Sequence, residues 1–321
     1  MVLVFSHSSD ASVNEVMQWL SFWKCPYKRF NVDQPTAIDM TGLKMSLSDN
    51  TLYCDGKKVD GVWFRSYPKF ALPEQFNSTE NKTALHRYIK SEQQSFTTAL
   101  FNFCNTANIA LNTCYSDNSV DVCKIRTLIA AKNAGLDIPE SLLATSKKDI
   151  SDFLTQHTFA IVKSIGNNEF FHIDGNRYAL YTSALAETNI ARLNESAFPC
   201  LIQKNIPKKF ELRIFFIGTR LYPAAIFSQS NEKTAQDFRN YDDRKANRIV
   251  PFSLPEAIAN RIIDLTRQLH LNTGSVDMIY SADNRYVFLE INPVGQFAMI
   301  SNPCNYYIEQ EIARFFYGQS N

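Results

Sequence analysis

Two side chains that can ligate a cation stand close together in the stretch VFLEINPVGQF, residues 287–297. Glu290 and Asn292 lie near the end of an apolar run, and residues two apart on a β-strand project from the same face. Pro293 and Gly295, which are typical of a turn, follow at once. A carboxylate and an amide therefore point toward one position at the end of a predicted strand.

A third oxygen ligand is predicted from the preceding strand, SVDMIY. If Asp283 and Asn284 form a two-residue hairpin turn, Asp277 lies directly opposite Glu290. Carboxylates that face each other are destabilising by up to about 1 kcal/mol, and a cation between them removes the repulsion. Together with Asn292 they make a set of hard oxygen donors of the kind that binds Mg²⁺.

The same pattern also fits a solvated edge hairpin that carries two ordinary surface acids. The sequence alone leaves this alternative open. We expect Ile279 and Phe288 on the same face as Asp277, and apolar neighbours of this kind favour a buried site.

Three basic residues stand where they can meet phosphate groups. Lys124 lies at the start of a predicted helix, and Lys163 ends the apolar run FAIV. A single lysine in such a place normally extends its ammonium group into solvent, but beside a Mg²⁺ site the pair indicates neutralisation of a triphosphate. Arg213 alternates with Glu211 in FELRIFF, and its buried guanidinium needs an anion, either Glu211 or a transferred phosphoryl group.

The composition excludes several classes of protein. The 321 residues are 45% hydrophobic with a net charge of +1, which fits a globular protein of two or three domains and gives no global indication of nucleic acid or an anionic membrane as partner. Seven cysteines without metal-ligand spacing fit a reducing compartment, and we expect a cytoplasmic protein without a membrane segment. P-loop and Rossmann glycine motifs are absent from the sequence.

The pattern of apolar residues predicts the order of the elements. A buried strand, MVLVFS, precedes a helix capped by Ser12, and a long helix covers Asn81 to Asn105. After a polar linker, CYSDNSV, the next predicted helix has an apolar stripe that includes Leu128 and Ile129. Further on we predict a hairpin around residues 218–220 and a helix from Leu254 to Leu271.

The order of these motifs resembles that of the ATP-grasp fold. The likeness covers about residues 121–297 and rests on Lys124, Lys163, the LIQKNI segment, ELR, DFR, Asp277 and FLEINPVGQF. The segments LVFSHSSDASVNEVMQWL and VWFRSY more closely resemble the ATP-grasp peptide maturases of the graspetide type, including the grasp-with-spasm group. Two departures are a thin glycine-rich loop after Lys163 and a Phe in DFR where Trp is commoner.

The resemblance implies an α/β (α+β) ATP-grasp fold with the nucleotide between two of its domains. It implies an N-terminal pre-ATP-grasp α/β domain at residues 1–118, a central domain at 119–203, and a C-terminal domain with the Mg²⁺ site at 204–321. The leader part of a precursor peptide would dock beside the central-domain hairpin, here Leu212 to Ser228, with the acidic stretch Glu187 to Glu195 as a neighbour.

The implied activity is an ATP- and Mg²⁺-dependent ligase, a homodimer in this family. It phosphorylates a side-chain carboxylate of a ribosomal precursor peptide, and a hydroxyl or amine then displaces the phosphate, which closes a macrolactone or macrolactam. The residues carried over by position are Lys124 and Lys163 for the phosphates, Gln203 and Ile206 for adenine, Asp277, Glu290 and Asn292 for Mg²⁺, Arg213 for the acyl phosphate, and Arg239 for orientation of the nucleotide or peptide.

Two other interpretations stay open. One is an ATP-grasp ligase that adds glutamate or another amino acid to a different carboxylate substrate. The other is an ATP-binding scaffold without turnover, for which loss of the metal ligands would be the expected mark. Asp277, Glu290 and Asn292 are all present.

Overall fold

A computed structural model of the chain describes residues 1–33, 42–66, 82–111, 123–166, 170–174, 176–179, 182–229 and 246–320. The predicted linker CYSDNSV and Arg239 lie outside these residues. Within them, no helix is both long enough and apolar enough to cross a membrane.

The N-terminal part is built on a parallel sheet of four strands. Its elements in chain order are β1 (Val2–Ser6), α1 (Ala11–Phe22), β2 (Tyr27–Asn31), β3 (Leu43–Ser46), β4 (Thr51–Cys54), β5 (Lys57–Lys58), β6 (Gly61–Phe64), α2 (Lys82–Thr106) and β7 (Ala110–Leu111). The parallel sheet has the order β2-β1-β6-β7, while β3, β4 and β5 form a small antiparallel sheet. The predicted opening strand and long helix are confirmed.

The rest of the chain adds two further antiparallel sheets, of four and five strands, and a two-stranded pair. Its elements are α3 (Lys124–Asn133), β8 (Ser141–Ser146), α4 (Lys147–Gln156), β9 (Ala160–Lys163), β10 (Phe170–Ile173), β11 (Asn176–Ala179), β12 (Ser183–Leu185), α5 (Glu187–Ala191), β13 (Ser196–Lys204), β14 (Lys208–Ile217), β15 (Arg220–Phe227), β16 (Arg248–Pro251), α6 (Glu256–Gln268), β17 (Thr273–Ser281), β18 (Tyr286–Asn292), α7 (Ala298–Cys304) and α8 (Ile308–Ser320). The orders are β12-β9-β13-β8 and β16-β15-β14-β17-β18, and β10 pairs with β11.

The last helix packs on the first sheet. Phe316 of α8 lies so close to Gly61 of β6 that a Cβ there would come within 2.5 Å of the ring. Val4 and Trp63 of the parallel sheet share one apolar cluster with α1, α7 and α8. The other face of this sheet packs against α2 and the small sheet. Because both faces are covered, the central strands β1 and β6 are fully buried and almost entirely apolar, whereas the edge strand β2 carries Lys28 and Arg29.

The five-stranded sheet has one apolar face and an opposite face that carries charged residues. Leu212, Ile214, Val276 and Met278 lie on the face that packs against α3 and α6, within one buried cluster. The alternate residues of the same strands project from the opposite face because side chains alternate along a strand. This second face carries the predicted site residues.

Two local predictions were wrong. Asp10, and not Ser12, caps α1: its carboxylate accepts a hydrogen bond from the Val13 amide at 3.4 Å, and the Ser12 hydroxyl donates to it at 2.7 Å. Ile129 is 57% exposed, although α3 itself is confirmed. At 100° per residue it is rotated by 200° from buried Thr127, which puts it on the solvent side.

The predicted hairpin is confirmed as β14 and β15. It belongs to the five-stranded sheet with β17, whereas Lys163 lies in the four-stranded sheet. The acidic stretch contains α5, which packs near α4 on the four-stranded sheet. The helix predicted from Leu254 is confirmed as α6 with shorter bounds.

The Asp10 carboxylate should contribute a pH-dependent part of the stability. Burial by itself raises the pKa of Asp10, but the Arg65 guanidinium, whose Nε lies 2.9 Å from Oδ2, and the hydrogen bonds from Ser12 and Val13 lower it below the ordinary value. Asp10→Asn keeps a capping oxygen and removes the charge, so we expect the free energy of unfolding at pH 7 to fall by about 1 kcal/mol.

The sign of the pH dependence follows from the lowered pKa. The wild-type advantage is fully present above the unfolded-state pKa of about 3.9 and is lost as the pH falls through the lower folded-state pKa. Urea unfolding of both proteins at a series of pH values measures this difference. A difference that stayed constant into strong acid would contradict the assignment to the Asp10 charge.

Candidate active site

A cleft of about 400 Å³ opens between the four-stranded and five-stranded sheets. Its walls are formed partly by apolar residues and partly by charged and uncharged polar residues. Its lining comprises Pro139, Ile161, Lys163, Thr182, Ala184, Lys204, Asn205, Ile206, Pro207, Lys208, Glu211, Gln229, Asp277, Ile279, Leu289 and Glu290. Four of the predicted site residues, Lys163, Ile206, Asp277 and Glu290, are therefore brought together.

The pairing of Asp277 with Glu290 is confirmed, but the predicted turn was wrong. Ser281 donates its amide to Arg285, which closes a three-residue loop instead of a two-residue turn and shifts the register by one. A β-bulge at Leu289 then restores the predicted pairing. The carboxylates face each other because the two changes in register cancel.

The bulge also changes which apolar residues flank the acids. Ile279 pairs with Val287, and with Ile206 and Leu289 they form a small apolar cluster at the cleft. Phe288 was predicted on the same face as Ile279, and this was wrong: it lies on the opposite face in the core beneath the sheet. The extra residue reverses the side-chain alternation between Phe288 and Glu290.

Arg213 and Asp277 are neighbours across β14 and β17 and form a buried ion pair. The Arg213 Nη1 donates to both Asp277 oxygens at 3.2 Å, and its Nε donates to the Gln296 carbonyl at 3.1 Å. Glu211, the alternative anion for Arg213, is held by other groups. Its carboxylate accepts from Lys208 Nζ and from the Ser228 hydroxyl, both at 2.6 Å.

Asp277 and Glu290 fit a magnesium ion that takes its remaining ligands from substrate phosphates and water, because Mg²⁺ in nucleotide sites is held by one or two carboxylates. Asn292 lies on the same face, opposite Ser275. Its side-chain oxygen already accepts hydrogen bonds from the amides of Val294 at 3.0 Å and Gly295 at 3.4 Å. No three Asp, Glu, His or Cys side chains of the described residues are grouped as a metal site.

The two predicted phosphate lysines converge on the end of β9. Lys163 is the last residue of that strand and lines the cleft. Lys124, at the first position of α3, donates from Nζ to Ser164 O and Oγ, both at 3.0 Å, and to Gly166 O at 2.6 Å. The Lys124 ammonium is therefore held by the segment that directly follows Lys163.

Gln203 carries a buried acceptor that has no hydrogen-bond partner among the described residues. Its side chain is fully buried, and Nε2 donates to Ser141 Oγ at 2.9 Å. The Ser141 hydroxyl donates in turn to the Pro139 carbonyl at 2.7 Å, so Oγ can only accept from the amide nitrogen. This leaves Gln203 Oε1 without a donor. An amino group such as that of adenine is the kind of donor it requires.

Two arrangements at the site were not predicted from the sequence. Lys208 and Glu211 form an ion pair at the cleft with side chains only 8% and 5% exposed. The three-residue spacing of these two charges in KKFELR is the sequence feature from which the pair could have been predicted. Arg65 was noticed only within VWFRSY, although an arginine directly after a buried strand requires an acceptor.

Arg239 lies outside the described residues, so its place relative to the cleft stays a prediction.

The Lys208–Glu211 pair gives a test of the charged wall of the cleft. Glu211→Gln removes the carboxylate from a buried ammonium, so we expect the free energy of unfolding to fall by about 3 kcal/mol. The double variant Lys208→Met with Glu211→Leu should recover most of this loss because neither charge is then buried. Urea unfolding measures both, and Asp152→Asn, in the exposed pair with Lys148, is the matched control. A loss no greater than that control would contradict a buried pair.

Comparisons with solved structures cover the whole chain. A RiPP-associated ATP-grasp ligase from Chryseobacterium gregarium, in complex with ADP and a leader and core peptide, is 23% identical with a TM-score of 0.76, covering 99% of this chain and 96% of the other. The macrocyclase MdnC from Microcystis aeruginosa, bound with its precursor peptide MdnA, is 25% identical with a TM-score of 0.72, covering 99% of both chains.

A third structure, the ATP-grasp ligase PsnB complexed with a phosphomimetic variant of its minimal precursor, Mg and ADP, is 17% identical with a TM-score of 0.73 and covers 100% of this chain and 98% of the other. No family profile and no curated protein matches the sequence. The chain therefore has the ATP-grasp fold, and over its whole length it resembles the ATP-grasp ligases of ribosomal-peptide maturation that its motifs indicated.

Proposed function

We propose that this chain is an ATP-dependent ligase that closes ester or amide rings within a ribosomal precursor peptide. The observation that carries the proposal is the whole-length similarity to MdnC, a macrocyclase bound to its precursor peptide. The cleft supplies the chemistry that such an enzyme needs: facing carboxylates from Asp277 and Glu290 beside the cationic Lys163.

The proposed reaction has two steps. A side-chain carboxylate oxygen of the peptide attacks the γ-phosphorus of ATP, and the bond to the bridging oxygen breaks to leave ADP and an acyl phosphate. A hydroxyl or amine of the same peptide then attacks the acyl carbon, phosphate leaves with the electrons of the C–O bond, and the nucleophile loses its proton. Each ring therefore lowers the peptide mass by one water.

Positioning and charge account for the catalysis, since phosphoryl transfer needs no protein nucleophile. Mg²⁺, when bound, neutralises charge on the transferring phosphoryl group. We assign Asp277, Glu290 and Asn292 to hold it, Lys124 and Lys163 to bind the phosphates, and Arg213 to stabilise the acyl phosphate.

The adenine end of the cleft is assigned to Gln203 and Ile206. Gln203 directly precedes the cleft-lining residues Lys204, Asn205 and Ile206, and its buried Oε1 lacks a donor among the described residues, while Ile206 supplies an apolar wall. Arg239 is assigned to orientation of the nucleotide or peptide on the resemblance alone. The three domains at residues 1–118, 119–203 and 204–321, a homodimer and a cytoplasmic location belong to the same proposal.

Glu290→Gln tests the reaction and its proposed metal site together. With ATP, Mg²⁺ and a precursor peptide encoded beside the gene, we expect the wild type to produce peptides lighter by one water per ring. Removal of the Glu290 charge should lower the ring-closing rate at least about a hundredfold, because the Mg²⁺ that would neutralise the transferring charge loses a carboxylate ligand. Mass spectrometry of the peptide measures both, with Glu256→Gln, at an exposed position in the first turn of α6, as the matched control.

The outcomes separate the competing functions. An unchanged peptide mass accompanied by ADP would indicate a ligase that adds an amino acid to a different carboxylate. ADP formation that stayed absent with every acceptor would indicate an ATP-binding scaffold. Equal activity of Glu290→Gln and the wild type would remove Glu290 from the proposed site.

Lys124→Met tests the phosphate assignment separately from turnover. Loss of this ammonium group should weaken ADP binding about tenfold, equivalent to about 1.4 kcal/mol, because one charge-assisted contact to phosphate is lost. Lys132→Met changes an exposed lysine of the same helix and should leave the affinity unaltered. Isothermal titration calorimetry of ADP measures both, and equal affinities would contradict the assignment.

A further inference from the structure

Arg65 joins the first sheet of the fold to the loop that follows the predicted metal-binding strand. It stands directly after β6, and its Nη1 donates to the carbonyl oxygens of Val294 at 2.6 Å and Gly295 at 2.8 Å. These partners are 229 and 230 residues away along the chain. We name residues 293–296 the Asn292 loop, since they follow Asn292 at the end of β18.

The Asn292 loop is tied to two of the predicted site residues. Its amides at Val294 and Gly295 donate to the Asn292 side-chain oxygen, and its Gln296 carbonyl accepts from Arg213 Nε at 3.1 Å. Gly295 has a φ of +56° and lies so close to Gly274 that a Cβ would come within 2.9 Å of its backbone. The loop therefore has little freedom to move without displacing Asn292 or Arg213.

Arg65 itself is fixed on its other side by the first sheet and helix α1. Its Nε donates to Asp10 Oδ2 at 2.9 Å, and Asp10 is the cap of α1. The guanidinium also lies 5.4 Å from the centre of the Phe297 ring, within reach of a cation–π interaction. Arg65 is buried, so these contacts are little screened by water.

We infer that Arg65 is a positioning residue for the active centre. It holds the Asn292 loop in place from the first sheet, and through the loop it fixes the Asn292 amide and the Arg213 guanidinium, which adjoin the cleft residues Glu290 and Asp277. Its effect on turnover rests on the proposed function, but its effect on the loop does not.

The planar fork of arginine explains why this residue type stands here. One guanidinium donates in two directions at once, from Nε to Asp10 and from Nη1 to the two loop carbonyls. A lysine ammonium keeps the charge but presents its donors from one point. Arg65→Lys should therefore fix the loop less well than the wild type and better than Arg65→Gln.

Hydrogen exchange tests the loop directly in the nucleotide-free protein. We expect the Val294 and Gly295 amides to exchange at least about tenfold faster in Arg65→Gln, because local opening becomes easier. Arg29→Gln is the matched control: Arg29 lies in the same sheet and donates to Ser6 and Asn14, within the first sheet and α1. It should leave exchange of the loop unchanged.

The same variants test the consequence for catalysis. In Arg65→Gln we expect kcat for ADP formation to fall at least about tenfold and the Mg²⁺ concentration for half-maximal rate to rise, with the KM for peptide within about twofold of wild type. Arg29→Gln should match the wild type in all three. If Arg65→Gln fails to fold, Arg65→Lys carries the comparison, with a smaller change in the same direction.

Three results would decide against parts of these proposals. Unchanged loop exchange in both Arg65 variants would overturn the inference, and so would faster exchange with wild-type kcat and Mg²⁺ dependence. A wild-type protein that forms no ADP would instead refute the proposed function, and the exchange of the loop would still decide whether Arg65 holds it.

Discussion

Three charged side chains stand side by side on neighbouring strands of the five-stranded sheet, from the central β14 to the edge strand β18, and the candidate site depends on this row. Arg213 of β14 is paired with Asp277 of β17, which faces Glu290 of β18. Two carboxylates next to each other on a largely buried face repel, and the Arg213 guanidinium offsets only part of their charge. A cation at Glu290 completes the balance, which is why this face suits Mg²⁺ and phosphate.

The sheet can carry this row because its other face is largely apolar. That face packs on α3 and α6, so the hydrophobic core holds the strands in place independently of the charges above them. Lys208 and Glu211 form a second buried pair beside the row, with Ser228 as a further donor. Buried charges are tolerated when they are paired and hydrogen-bonded, and this arrangement provides both.

The parallel sheet of the N-terminal part also supports the candidate site. Helix α8, from the end of the chain, packs on β6, and Arg65 reaches the loop after β18. The candidate active site is therefore supported by segments near both the first and the last residues of the sequence. A cleft built in this way can orient a peptide and a nucleotide together, which is what a ligase without a protein nucleophile must do.

The sequence by itself determined the elements and the types of residue at the site, because strand alternation, helical periodicity and strand-end charges are local properties. Glu290 and Asn292 on one face and Lys163 at a strand end followed from such patterns, and the motif order indicated the fold. The tertiary structure alone decided the bulge at Leu289, the burial of Lys208 with Glu211, and the contact of Arg65 with Val294. The contact of Arg65 with Val294 joins segments 229 residues apart, while the bulge and the burial of the charge pair depend on how the strands pack in the sheet and at the cleft, which residue spacing alone does not fix.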